Sequence, residues 1–350
     1  MDEALLSLPA FPAVNNLPRP LRQNAEGIFV YDDGAWEKAG RPCGSMEPRG
    51  LKRQWPGRSE VDRHDFCRNR NLDLCKLSRP ADVYLQRVHR LRCFAADAGG
   101  GGDCLFLAVA AGLETLREWL ADVAPPVQAL VADDASRTVI AARLRNMVGD
   151  AVLNWSSKRF LDFVTICLSE EVAGTWLDAW KMSALIAGSP FAFLKRVNSV
   201  DSVLDGRTND VTLQCKHSDS ARAVRHSIPG GKRALMDLRK AVAARISQQG
   251  HTHWGTHWDI DILARELKIG FCIVGNQPVD SSEDGVLPAS VLHSYAAVED
   301  VESYICLYNI SNQHFQLMVL DLESGLQSVF LPGEMPTSLA EELHKRSAGC

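Results

Sequence analysis

A run of four glycines, residues 99–102, constrains the fold of this chain more than any other feature of its sequence. Glycine loses more backbone freedom on folding than any other residue, so four in a row weaken a folded segment unless the backbone requires them. Asp103, Cys104 and a long apolar run follow at once. The glycines therefore form either a disordered spacer or a loop whose backbone closely approaches another group.

Asp103 and Cys104 begin a predicted helix. A carboxylate directly before an apolar helical run is a favourable N-cap, which places Asp103 at the cap and Cys104 in the first turn. The unpaired N–H groups and the positive end of the helix dipole stabilise a thiolate there. Glycines ahead of the cysteine leave loop amides able to face a developing oxyanion. This context predicts a cysteine nucleophile, and the alternative is a small buried hydrophobic residue.

A candidate base stands at the start of a predicted strand, in "HFQLMVLD". Strand alternation puts His314, Gln316 and Met318 on one face. A strand is a rigid mount for a general base, and the Gln316 side-chain oxygen can orient the ring by accepting its Nδ1 proton. The alternative is an edge-strand histidine without a chemical role.

The periodicity of apolar residues predicts a mixture of helices and a small sheet, which is an α+β domain. The segment from about 185 to 230 has mixed polarity and turn signals, and it is predicted to be an irregular insertion. The other predictions are helices over 103–123, 135–155, 157–180, 232–249 and 259–268, and strands over 269–275, 303–310 and 314–321.

Composition excludes several classes of protein. The 350 residues are 46% hydrophobic and 23% charged, as in globular proteins, and the net charge of −5 gives no signature of nucleic-acid or membrane partners. No apolar run reaches about 18 residues, and the acidic N-terminus lacks the features of a signal peptide. The ten scattered cysteines are expected to be reduced thiols. We expect a cytoplasmic monomer.

Metal binding has two weak signals in the sequence. His64, Cys67, Cys75 and Cys93 lack the second tight pair of ligands that zinc sites usually have. The "HTHWGTHW" stretch, residues 251–258, contains an H-x-H pair but no acidic ligand clustered with it apart from Asp259 of the following helix. We therefore expect no metal and no organic cofactor.

Three motifs stand in order along the chain: "GGDCLF", "HWGTHWDIDILARELKIGFCIV" and "YNISNQHFQLMVL". Together they resemble the OTU (ovarian tumour) family of cysteine proteases, which remove ubiquitin. The resemblance covers about residues 86–332. The matching residues are Gly102, Asp103, Cys104, Leu105, Phe106, Trp254, Gly255, Asp259, Ile260, Ala264, His314 and Phe315.

The resemblance implies an OTU-type fold, in which a small sheet is flanked by helical lobes and carries an inserted segment. The OTU-like domain would span 86–332, with the insertion at about 176–232 helping to select ubiquitin chains. Residues 1–85 would form a Pro/Arg-rich extension, partly disordered, and residues 333–350 a C-terminal tail. Deletion of about 180–228 would then preserve reaction with monoubiquitin.

The resemblance also implies a cysteine-type deubiquitinase acting on ubiquitin or polyubiquitin chains. Cys104 would be the nucleophile and His314 the base. Gln316 stands at the third position of the triad, with Asn312 as a second candidate, where an Asp or Asn is usual in some subgroups. Because glutamine is neutral, it orients an imidazole but stabilises an imidazolium less than a carboxylate does.

Substrate contacts follow from the same resemblance. The amides of Gly101, Gly102 and Asp103 would form the oxyanion loop, and Trp254 and Gly255 would wall a narrow channel for a Gly-Gly tail. Gly101 stands where the family has an aspartate, so Gly101→Asp is expected to order the loop and raise turnover. The departures at positions 101 and 316 favour an alternative, a catalytically impaired ubiquitin-binding module. Another alternative is a Cys-His amidase with a non-ubiquitin substrate.

Overall fold

The structure, a computed structural model, describes residues 22–23, 29–30, 66–68, 70–117, 125–132, 135–168, 182–217, 222–250, 253–276, 292–294, 301–310, 314–331 and 333–347. It is a mixture of helices and sheets with no regular βαβ alternation, which confirms the α+β class. His64, His251 and Asn312 lie outside the described residues. None of the helices in the described part of the chain is long and apolar enough to cross a membrane.

The strands within these ranges are numbered in chain order. They are β1 (Arg22–Gln23), β2 (Phe29–Val30), β3 (Asp73–Lys76), β4 (Arg92–Asp97), β5 (Val197–Leu204), β6 (Val211–His217), β7 (Ala223–Ile228), β8 (Ile269–Asn276), β9 (Leu292–Ser294), β10 (Ser303–Ile310), β11 (His314–Leu322), β12 (Gly325–Gln327) and β13 (Val329–Phe330).

The α-helices are α1 (Arg79–Tyr84), α2 (Cys104–Thr115), α3 (Pro125–Val131), α4 (Arg137–Asn154), α5 (Ser157–Leu168), α6 (Gly231–Ser247), α7 (His257–Leu267) and α8 (Thr337–Ser347). A π-helical turn, Leu85–His89, continues α1, and a 3-10 turn, Ala192–Arg196, precedes β5. The helices and strands predicted from periodicity are all present, and residues 118–123 and 169–180 of two predicted helices lie outside the described residues. The sequence did not predict the strands β1 to β7, β9, β12 and β13 or the helices α1, α3 and α8.

The main sheet has the strand order β3-β4-β11-β10-β8-β9, with β12 beside β11 and β13 beside β10. The strands β4, β11 and β10 are antiparallel neighbours, whereas β10 and β8 are parallel. Because β3 pairs with β4, the sheet begins at Asp73, earlier than the boundary expected at residue 85.

Apolar side chains cover both faces of this sheet. One face packs against α2, whose Leu105, Phe106 and Val109 are completely buried, and the opposite face packs against α1 and α8. Leu339 and Leu343 of α8 are buried there, so part of the segment assigned to a tail is a packed helix. The alternation along β11 assigns Leu317 to the first face and Met318 to the second, as the sequence pattern predicts.

The segment expected to be irregular is instead a three-stranded antiparallel sheet, β5-β6-β7. Its inner face is continuous with the main core, because Val211, Leu213 and Cys215 of β6 are completely buried together with residues of α5. The sequence "VTLQCKH" carries the alternation of a half-buried strand, which the turn signals on either side obscured. We therefore no longer expect the deletion of 180–228 to leave the fold intact.

A pair of matched substitutions in β5 tests this packing. Val200 is 2% exposed and Val203 is 68% exposed, although both are valines of the same strand. Val200→Ala should lower the free energy of unfolding by about 2 kcal/mol, because two buried methyl groups are lost. Val203→Ala should change it by less than about 0.5 kcal/mol. Denaturant unfolding of both variants measures the difference, and equal effects would contradict the assignment of β5 to the core.

Candidate active site

Cys104 is the first residue of α2 and is 3% exposed. Asp103 occupies the N-cap position, as the sequence predicts, but its carboxylate makes no capping hydrogen bond to the helix. The helix begins here because the glycine-rich loop ends and an uninterrupted apolar run starts. The run packs Leu105 and Phe106 into the core, which fixes the position of the cysteine backbone.

His314 is the first residue of β11 and is 5% exposed. The chain brings its ring to the start of α2, where His314 is hydrogen-bonded to the Cys104 side chain. The two residues predicted as nucleophile and base are therefore in contact, although 209 intervening residues (314 − 104 − 1) separate them in the sequence.

A carboxylate that sequence analysis did not identify completes the group. Asp97 is the last residue of β4, and its Oδ1 lies 3.4 Å from the Nε2 of His314. The antiparallel register of β4 and β11 pairs Ala96 with Leu317, so Asp97 and Gln316 are the next residues along each strand. Asp97 is thus a further candidate for the third position that the sequence assigned to Gln316 or Asn312.

The charges of this group shift two pKa values in opposite directions. Burial by itself lowers the pKa of His314, but the hydrogen bonds and charges of Asp97 and Cys104 outweigh it and raise the pKa to about 10. Burial by itself raises the pKa of Asp97, but the hydrogen bond and charge of His314 keep it below its ordinary value. A histidine ring that keeps both protons at neutral pH next to a thiol is arranged to act as a general acid.

Gln316 supports the carboxylate. Its side chain is 5% exposed, and the hydrogen bond that the structure assigns to it goes to Asp97. The Gly99 N–H also donates to Asp97 Oδ1, at 3.0 Å. The assignment of Gln316 as the third triad residue stays a prediction, and its hydrogen bond to Asp97 makes both residues candidates for orienting the imidazole.

The glycine loop has a backbone that requires glycine. The φ angles are +132° at Gly99, +75° at Gly101 and +92° at Gly102, a region that L side chains rarely adopt. These angles favour the second interpretation of the run, a shaped loop between Asp97 and Cys104. We therefore now expect Gly101→Asp to lower turnover rather than raise it, because a side chain at this φ angle strains the loop.

The segment that contains Trp254 and Gly255 packs directly against the nucleophile helix. A Cβ atom at Gly255 would lie 2.4 Å from Leu105 Cδ2 and 2.5 Å from Leu105 Cβ. Only glycine fits this approach, so the residue has a packing role in addition to the channel role implied by the resemblance. Trp254 is half-buried beside it.

A buried contact between a histidine and a carboxylate also holds this segment. The Nε2 of His253 lies 3.0 Å from both carboxylate oxygens of Asp259, and Oδ2 also accepts the N–H and hydroxyl of Thr256. Burial would raise the pKa of Asp259, but the charge and hydrogen bonds of these partners hold it below its usual value. His253, which the sequence offered as a metal ligand, is thus bonded to a carboxylate.

Metal ligands do not cluster within the ranges that the structure describes. No group of three or more His, Cys, Asp or Glu side chains there is arranged to hold a metal ion. Cys67 and Cys93 are free cysteines.

Comparisons with protein-family models and with curated protein sequences gave no match. The three motifs of the sequence nevertheless meet at one place in the fold: His314 is bonded to Cys104, and Gly255 packs against Leu105.

Proposed function

We propose that this chain is a cysteine isopeptidase of the OTU type that removes ubiquitin, or a ubiquitin-like modifier, from proteins. The observation that carries the proposal is the group formed by Cys104, His314 and Asp97, in which a thiol contacts an imidazole and the imidazole contacts a carboxylate. The choice of ubiquitin as substrate comes from the resemblance of the three sequence motifs.

The first half of the reaction forms a thioester. The Cys104 sulfur, whose proton has passed to His314, attacks the carbonyl carbon at the end of the Gly-Gly tail. The carbonyl oxygen becomes negatively charged, and N–H groups near Gly102, Asp103 and Cys104 stabilise it. The C–N bond then breaks as His314 donates its proton to the leaving lysine amine.

The second half restores the enzyme. Water gives a proton to His314 and attacks the thioester carbonyl, and the C–S bond breaks to release the free carboxyl end of the modifier. The Cys104 sulfur leaves as a thiolate and His314 keeps the proton, which is the starting state. Asp97 stabilises the imidazolium throughout, because its carboxylate faces the ring.

The test is covalent capture by ubiquitin that carries a C-terminal electrophile. We expect a single adduct of the intact chain with one ubiquitin, detected by mass spectrometry, together with cleavage of diubiquitin. Binding of ubiquitin without an adduct would instead indicate the catalytically impaired binding module. Capture by a different modifier, with none by ubiquitin, would indicate a Cys-His amidase for another substrate.

Asp97→Asn should lower turnover by about tenfold to a hundredfold, because the imidazolium loses its carboxylate. The pKa of His314 should also fall below about 10 when that charge is removed. Turnover of a fluorogenic ubiquitin substrate and NMR titration of the ring measure the two effects.

Asp73→Asn is the matched control, because Asp73 faces Asp97 across the β3–β4 pair and is exposed to solvent. It should leave both quantities unchanged. If the turnover and the pKa of His314 stay unchanged in Asp97→Asn, the third triad residue would instead be Gln316 or Asn312.

A further inference from the structure

Arg145 is the largest completely buried side chain among the described residues. It lies on α4, on the helix face that also buries Leu144 and Val148. Removing a guanidinium from water is costly unless its donors are bonded and its charge is paired. The hydrogen-bond partners of Arg145 therefore show which segments of the chain the buried guanidinium holds in place.

Those partners belong to two segments of the candidate active site and to the end of α6. Arg145 Nε donates to Asp103 Oδ1 at 2.6 Å, and Nη2 donates to the Gly102 carbonyl at 2.9 Å. Nη2 also donates to the His253 carbonyl at 2.8 Å, and Nη1 to the Ile246 carbonyl at 2.9 Å. Because a guanidinium is planar, these bonds fix the relative positions of the segments they join.

The bond to Gly102 fixes one peptide group of the nucleophile loop. None of the peptide bonds in the described ranges is cis. In a trans peptide, the C=O and the following N–H point in opposite directions within one plane. Since the Gly102 carbonyl points to Arg145, the Asp103 N–H points away from it.

The bond to Asp103 has a second consequence. An N-cap aspartate ordinarily accepts N–H groups from the first turn of its helix, but Asp103 makes no such bond to α2. Its carboxylate is held instead by Arg145 and by the Gly250 N–H, at 2.7 Å from Oδ2. A substrate oxyanion therefore does not compete with this carboxylate for the N–H groups at the start of α2.

We infer that Arg145 is a positioning residue that prepares the Asp103 and Cys104 amides to bind the oxyanion. The inference rests on the part of the proposed function that makes Cys104 the nucleophile, and it does not depend on ubiquitin. Arg145 acts through the Gly102–Asp103 peptide and the Asp103 carboxylate, without contacting substrate. Its loss should impair reactions that build negative charge on a carbonyl oxygen, and should spare other reactions of the same thiol.

Two small reagents distinguish a reaction that builds negative charge on a carbonyl oxygen from one that does not. With p-nitrophenyl acetate, the thiolate attacks the ester carbonyl, the oxygen gains negative charge, and p-nitrophenolate leaves as the C–O bond breaks. With iodoacetamide, the thiolate displaces iodide and forms a C–S bond, and no carbonyl oxygen gains charge. Both rates are measured on the full chain and corrected with the same protein carrying Cys104→Ala.

Arg145→Lys should slow acylation by p-nitrophenyl acetate at least about tenfold, because lysine keeps the charge but cannot bond all these carbonyls at once. Alkylation by iodoacetamide should change less than about threefold, because it needs no oxyanion donor. If Arg145→Lys does not fold, the double variant Asp103→Asn/Arg145→Gln replaces it, because this variant removes both charges together. It should show the same selective loss of acylation by p-nitrophenyl acetate.

Arg239→Lys is the matched control. Arg239 is 7% exposed, donates to the Leu153 carbonyl and stacks over Phe160, as Arg145 stacks over Phe106. The substitution perturbs a buried guanidinium of the same helical core without touching the loop. It should leave the ratio of acylation to alkylation at the wild-type value.

Arg145 has no positioning role if its substitution slows both reactions equally or slows neither. A wild-type Cys104 that reacts with neither reagent would overturn the inference together with the nucleophile. A wild-type chain that reacts with both reagents but does not cleave ubiquitin conjugates contradicts only the proposed substrate. In that case the selective loss in Arg145→Lys still supports the inference.

Discussion

Cys104→Ala is expected to abolish covalent capture by an electrophilic ubiquitin tail, because the adduct forms on the sulfur that this substitution removes. The fold should persist, since the sulfur is one atom at the start of a helix whose following residues are buried. Capture is measured by the mass of the intact chain, and folding by thermal unfolding. An adduct of unchanged yield in this variant would place the nucleophile elsewhere.

Cys167→Ala is the control for this change, because Cys167 is also a buried helical cysteine, 1% exposed on α5. The Cys167→Ala variant should be captured by the electrophilic ubiquitin to the same yield as the wild type. Two thiols of the main sheet, Cys93 and Cys306, are poor alternatives. Burial raises the pKa of Cys93, and a hydrogen bond with Cys272 together with burial raises that of Cys306. A thiol that stays protonated is a weak nucleophile.

The nucleophile and the base could be proposed from sequence because each stands in a short local pattern. Cys104 follows a glycine loop and opens an apolar helix, and His314 opens a strand with clear alternation. Local patterns of this kind depend on neighbouring residues, which the sequence displays directly.

Asp97 could not be proposed in this way, because its role depends on which strands pair. It ends β4, a six-residue strand in which Cys93 to Ala96 are all buried, so the period-2 pattern is missing. Its position beside His314 follows from the β4–β11 register. That register is set by tertiary packing between segments more than 200 residues apart, and motif spacing does not encode it.

The role of Arg145 was not predicted from the sequence for a different reason. The apolar periodicity of α4 predicts a buried face that leaves its arginine unexplained, with Ile140, Leu144, Met147, Val148 and Ala151. The structure buries Ile140, Leu144 and Val148 and leaves Met147 and Ala151 partly buried. A charged residue three positions before a buried valine lies on the same face of a helix, which was an available signal. Its partners are mostly backbone carbonyls, however, and these cannot be read from side-chain identities.

His314→Ala is expected to lower turnover about a hundredfold or more, because both proton transfers lose their donor and acceptor. The matched control is His89→Ala. His89 is 6% exposed, almost as buried as His314, but its Nε2 contacts the Tyr84 hydroxyl at the end of α1. That control should change turnover by less than about threefold, even if it lowers stability.

The same variant has a pH signature in stability. Because the folded-state pKa of His314 is raised from 6.5 to about 10, its protonated ring stabilises the native state. That contribution is fully present below about pH 6.5 and is lost as the pH rises through about 10. The difference in unfolding free energy between wild type and His314→Ala should therefore narrow from pH 6.5 to pH 10.

Denaturant unfolding at several pH values measures that difference, beside turnover at pH 7. A loss of turnover below about threefold would move the base elsewhere, and His257 would be tested first because His253 is bonded to Asp259. A constant stability difference across the pH range would mean that Asp97 and Cys104 do not hold the His314 proton. The His314 ring would then not carry the proton that the leaving amine needs, and the assignment of His314 as the proton donor would be wrong.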